Sequence, residues 1–171
     1  TSGFTNGVQL NVNAHLSGSK GAIIFEGSAS TFSALTANAV DDIEVNSDLT
    51  TTTGALSLDG DSDSTVDTLS GNDNILFASG TTLTSAGNIT LSAASGGMVT
   101  AGDLTLSAPS SITMTGTMSG TGDISLSASN GITLNNGIST SSGSLNINAN
   151  SSTLTLGSGA TFSSTNALTL A

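Results

Sequence analysis

The segment GDLTLSA at residues 102–108 returns as GDISLSA at 122–128 and as GSLNINA at 143–149, and GNITLSA at 87–93 has the same form. Each unit sets two apolar residues two positions apart, separated by a small polar residue and preceded by Gly with Asp, Asn or Ser. That is the period of a half-buried strand entered through a tight corner. Further bursts of the same kind lie at 8–12, 42–45, 55–58, 111–114, 131–134, 153–156 and 167–170. From residue 104 onward they group into triads. Leu104/Leu106, Ile112/Met114 and Met118 are followed by Ile124/Leu126, Ile132/Leu134 and Ile138, then by Leu145/Ile147, Leu154/Leu156 and Phe162, and Leu168/Leu170 opens another. Self-similarity at about 20 residues with three short strands per repeat is the mark of a solenoid.

Competing architectures fit less well. Connections of a few residues leave no room for the helical crossovers of a βαβ fold. Asn130-Gly131 and Asn136-Gly137 flank a short apolar segment instead of joining two long strands, so hairpins are not indicated. The pattern predicts an all-β fold, a right-handed parallel β-helix with about 20 residues in each three-sided coil. Eight or so coils ~4.8 Å apart would make a rod of about 40 Å. The whole chain, 1–171, reads as one domain. Residues 86–171 form regular repeats, residues 1–85 form less regular coils with an acidic loop at 59–74, and the chain is expected to be a segment of a longer protein or fibre.

Composition narrows the function. Twelve acidic residues stand against one lysine (Lys20) and no arginine, for a net charge of −11. A phosphate-binding surface needs clustered Lys and Arg, so nucleic acid is not an expected partner. An anionic membrane surface is disfavoured for the same reason, and no apolar run is long enough for a membrane helix. With no cysteine, there is neither a disulfide framework nor a thiolate metal site. The near-absence of Lys and Arg also removes trypsin-like cleavage sites.

Two acidic features invite a functional reading. Asp103 and Asp123 occupy the same place in successive repeats and read as corner residues bonding the local backbone in Asx-type turns, with Asn88, Ser144 and Asn74 as their equivalents. Nine of the 12 acids fall between Asp41 and Asp73. Among them Asp59, Asp61, Asp63 and Asp67 take positions 1, 3, 5 and 9 of a calcium loop. Ser64 and Ser70 stand where that loop needs Gly and Glu. SGNDNIL is similar to calcium-binding nonapeptide repeats but lacks their Gly-Gly pair. The stretch reads first as a solvated acidic loop with no cofactor, and calcium is the alternative.

Catalysis finds little support. Polysaccharide lyases of β-helical shape rely on an arginine or lysine base and a calcium-held uronate, and this chain has no arginine and a single lysine. Hydrolases of that shape use grouped carboxylates, which Asp41-Asp42 echoes, but their accompanying motifs are missing. Only a cleft gathering Asp41, Asp42 and Glu44 would revive this reading. His15, the sole histidine, has no Gly-x-Ser-x-Gly nucleophile elbow to serve. Outward threonines suggest an ice-binding face, with Thr113, Thr133 and Thr155 in one row and Thr90, Thr105 and Thr169 in another, broken by Ser125 and Asn146. The chain is expected to be no enzyme.

The units GNITLSA, GDLTLSA, GDISLSA and GSLNINA resemble the β-solenoid repeats of large bacterial surface proteins of the filamentous-haemagglutinin type. The likeness covers residues 86–171 well and 1–85 loosely. It implies a secreted, extracellular or cell-surface module that serves as a stalk or filament, with a role in cell attachment. The implied partners are further coils or other copies joined end to end, and a glycan or other cell-surface ligand. A polysaccharide-binding or polysaccharide-degrading β-helix and an ice-binding solenoid are the alternatives.

Overall fold

The computed structural model describes residues 9–14, 22–65 and 73–171. Among them every regular element is a strand and every pairing is parallel. The strands stack in three files. The first face holds β1 (Gln9–Ala14), β4 (Ala34–Ala39), β7 (Leu56–Asp59), the first part of β10 (Ile89–Thr100), the first part of β12 (Ile112–Gly120), β14 (Ile132–Leu134) and β17 (Leu154–Leu156). The second holds β2 (Ile23–Phe25), β5 (Ile43–Val45), β8 (Ile75–Phe77), the later parts of β10 and β12, β15 (Ile138–Thr140) and β18 (Phe162–Ser164). The third holds β3 (Ser30–Phe32), β6 (Leu49–Thr51), β9 (Thr81–Thr84), β11 (Leu104–Ala108), β13 (Ile124–Ala128), β16 (Leu145–Asn148) and β19 (Leu168–Leu170). The chain is a β-solenoid of about seven turns, each of roughly 22 residues.

The crossover that any parallel pair demands is supplied by the other two faces of the coil, so no helix is needed. β-Branched and aliphatic residues fill the inward positions because each inward side chain rests on its equivalents one coil above and below. The file Leu35, Leu56, Ile89, Ile112, Ile132 runs through the first face with no exposure at any position. The file Leu104, Ile124, Leu145 is likewise buried in the third. Burying such a side chain contributes about 1.5–3 kcal/mol, and repetition makes the core one continuous column. Buried hydroxyls interrupt it only where a corner carbonyl accepts their proton. Thr100 Oγ1 donates to the Gly102 carbonyl at 2.6 Å, and Thr140 Oγ1 donates to the Gly122 carbonyl at 2.5 Å.

The register corrects two expectations. Seven coils, not eight, lie within the described residues, and at ~4.8 Å per coil they span about 30 Å. GNITLSA lies on the first face, whereas GDLTLSA, GDISLSA and GSLNINA lie on the third. Thr90 therefore joins the row of Thr113, Thr133 and Thr155. All three faces ask for the same corner and the same pair of inward aliphatics, so the motif alone does not say which face it occupies. The offset of 15 residues from Gly87 to Gly102, against 20 and 21 thereafter, is the signal that separates them.

The irregular N-terminal half obeys the same stack. Leu35 pairs with Leu56 and Leu56 with Ile89, although 33 positions separate the latter two. The excess chain falls between β7 and β8, and its described stems, residues 60–65 and 73–74, stand at the corner between the first and second faces.

Candidate functional site

Asp or Asn immediately before a strand recurs at all three corners, and its side chain reaches across coils. Asp103 Oδ1 accepts the Asp123 amide at 2.9 Å, and Asp123 Oδ1 accepts the Ser144 amide at 2.7 Å. Asp48 Oδ1 accepts the Thr82 amide at 2.8 Å, Asp42 Oδ1 the Asn74 amide at 2.9 Å, and Asn88 Oδ1 the Ser111 amide at 3.3 Å. The strand ladder starts one residue later. Leu104 N, for instance, donates to the Asp123 carbonyl at 2.9 Å. The carboxylate thus satisfies an amide at the corner that the ladder does not reach, as buried and half-buried backbone groups require. This replaces the local Asx turn expected for Asp103 and Asp123. Ser144 is the true equivalent of these two, whereas Asn88 and Asn74 serve the first and second faces.

The acids gather at the corner where residues 60–74 leave the stack. Gly60 N donates to the Ser92 carbonyl, Ser62 N to the Ala39 carbonyl, and Ile43 N to the Asn74 carbonyl. These bonds draw both stems of the insertion between coils two and four. A Cβ on Gly60 would lie 2.4 Å from the Asn74 carbonyl oxygen, so only glycine lets the stems meet. Four carboxylates are consequently buried here: Asp41, Asp42, Asp61 and Asp73. Asp61 is 1% exposed. Its Oδ2 accepts the Ser95 amide at 2.6 Å, while its Oδ1 is buried with no hydrogen-bond partner among the described residues. The Asp61 amide donates to Asp59 Oδ1 at 3.2 Å. Burial raises the Asp59 carboxyl above the usual carboxylate range; the hydrogen bond from the Asp61 amide opposes this, the Asp61 charge adds to it, and the Ser92 hydroxyl opposes it again.

Of the four calcium-loop candidates, then, Asp59 and Asp61 lie together at the corner. Asp63 is exposed and accepts the Thr65 amide in a turn of its own at 3.1 Å, and Asp67 lies outside the described residues. Among the described residues no three His, Cys, Asp or Glu side chains converge as a metal-holding group. Asp41 and Asp42 are buried, whereas Glu44 stands outward on β5 between Ile24 and Leu76 of the neighbouring coils. His15 and Lys20 also lie outside the described residues.

The outer faces carry mostly serine, threonine and asparagine, with Ile24 and Val99 exposed among them on the second face. The threonine row on the first face is single. Ser92, Thr115 and the exposed Asn135 stand beside it in place of a second threonine file, and Asn135 Nδ2 donates to Thr115 Oγ1 at 3.0 Å. On the second face a shallow groove crosses coils four to seven. It consists of two adjoining depressions that share Ser119 and Ser139, one lined also by Thr117, Asn136 and Thr161 and the other by Val99, Thr121 and Thr165. No acid or base lines it, so it offers neutral hydroxyl and amide groups beside the exposed Val99. At the last coil the inward aliphatics lose their cover, and Leu156, Leu168 and Leu170 are 45%, 47% and 49% exposed.

Fold and surface together define a parallel β-solenoid with a hydroxyl-rich exterior. Compared with known proteins, the chain matches no family model, no curated sequence and no solved structure.

Proposed function

We propose that the chain is a non-catalytic structural module of an extracellular bacterial surface fibre or adhesin, a stalk or filament segment that carries attachment elements away from the cell. The observation that carries this reading is the column of seven parallel coils with one continuous aliphatic core. The strand edges of such a column take up further parallel strands unless something blocks them. No charge stands on β17, β18 or β19 to do so. Engagement of Asp42 in an inter-coil hydrogen bond also favours a structural over a catalytic role for the Asp41-Asp42 pair. Negative-stain imaging of the purified chain tests the proposal. Rods that join end to end support it, and compact particles with no longitudinal association at any concentration overturn it.

The groove of the second face favours one further reading, a module that binds a neutral polysaccharide. Successive serines one coil apart suit a polyhydroxylated chain lying along the rod, although no aromatic platform adjoins them. A glycan array discriminates: binding that Ser139→Tyr abolishes supports the polysaccharide reading, and an empty array leaves the rod.

A further inference from the structure

The corner between the first and second faces holds an unmet electrostatic demand. A carboxylate oxygen removed from water costs several kcal/mol unless it meets a hydrogen-bond donor or a cation. Asp61 Oδ1 is so removed and has no donor among the described residues, although Oδ2 of the same group is held by the Ser95 amide. Asp59 lies two residues away on the strand that feeds the corner and is tied to Asp61 through the main chain. Asp41, Asp42 and Asp73 are buried where the same insertion meets coil two and add to the negative field. The whole sequence supplies one lysine and no arginine to answer twelve acids.

We propose that Asp59 and Asp61 form the carboxylate half of a calcium site that staples the stem at residues 60–65 to the solenoid. Calcium accepts six to eight oxygen ligands in irregular geometry, so two carboxylates, main-chain carbonyls and water make an adequate set. A set this lean in charge belongs with the weak sites of extracellular modules, with a Kd of about 10⁻⁴–10⁻³ M. Magnesium demands a near-ideal octahedron and gives up its water reluctantly, so it binds less well. Asp63 is not part of this pair, since it stands exposed in a turn of its own while Asp59 and Asp61 are drawn into the corner.

The test uses the whole chain, stripped with chelator, and calcium chloride alone as the probe. Calorimetric titration is expected to show one saturable event in that range, at least tenfold weaker for magnesium, and calcium is expected to raise Tm by a few degrees. Asp61→Asn keeps an oxygen for the Ser95 amide and removes the charge. It is expected to abolish both effects, while Asp103→Asn leaves both intact. A Tm rise reproduced by sodium chloride at equal ionic strength, no saturable heat in the wild type, or an Asp61→Asn variant that titrates like the wild type overturns the proposal. Should Asp61→Asn not fold, Asp59→Asn is read by the same criteria.

Discussion

The amide of Asp123 donates to the carboxylate of Asp103 at 2.9 Å, one full coil away along the rod. Two residues that look in the sequence like a duplicated acidic site are thus donor and acceptor in a single structural bond. The Asp123 carboxylate repeats the arrangement with Ser144.

Removing the acceptor at Asp103 leaves the Asp123 amide to water at an exposed corner. Asp103→Ala is expected to cost about 1 kcal/mol, and Asp103→Asn, which keeps the oxygen, less than half of that. Chemical denaturation of the two variants side by side measures the difference. Equal losses would show that charge, not the bond, is what matters at this corner.

Glycine before that aspartate is as constrained as the aspartate itself. A Cβ on Gly122 would meet the amide nitrogen of Asp103 at 2.4 Å, a backbone atom that does not swing aside. Gly122→Ala is expected to destabilise by about 1–3 kcal/mol, with the increased amide hydrogen exchange concentrated in β11, β13 and β16.

Core truncation should depend on position in the stack. Leu91 is fully buried between Leu58 and Met114, whereas Leu170 in the last coil is about half exposed. Leu91→Ala is expected to cost about 2–5 kcal/mol and Leu170→Ala under about 1 kcal/mol. If the two losses were equal by thermal melting, the terminal coil would have to be covered in solution.

Asp59 supplies a pH dependence of defined sign. Its folded-state pKa lies above its ordinary value, chiefly through burial. Its stabilising contribution is therefore full below the unfolded pKa and is lost as pH rises through the folded one. In calcium-free buffer, Asp59→Asn is expected to gain over the wild type most at neutral pH, and the gain should shrink toward about pH 4. A gain that grows on acidification would contradict the burial of this carboxylate.

Much of the solenoid is legible in the residues themselves. From Leu104 onward each apolar pair states both its strand and its partner one repeat away, because nothing but a corner intervenes. Thr90 shows where that reading fails. Its neighbourhood duplicates the third-face motif while sitting on the first, since corner and core chemistry are common to all faces and only spacing tells them apart. Asp61 shows a second limit. Alternation marks Asp59, Asp61 and Asp63 as equals, and only the bonds that fold Gly60 and Ser62 back onto coils two and four bury one, half-bury another and leave the third in water. Asp48, and the bonding role of Asp42 that its pairing with Asp41 masks, are hidden for the opposite reason. Each is an ordinary acid before an inward aliphatic residue, and its inter-coil bond depends on a partner more than thirty positions away.

The pairing of Leu56 with Ile89 across residues 60–74 bears on how such rods change over time. Coils two, three and four remain in register on the first face even though coil three is much the longest. Length at a corner is thus decoupled from order along the axis, so a corner can take up new sequence, a loop or a small domain, without retuning its neighbours. Gly60 and Asn74 mark the gateposts of one such mounting point, and a foreign segment grafted between them would be displayed at a fixed height on the rod.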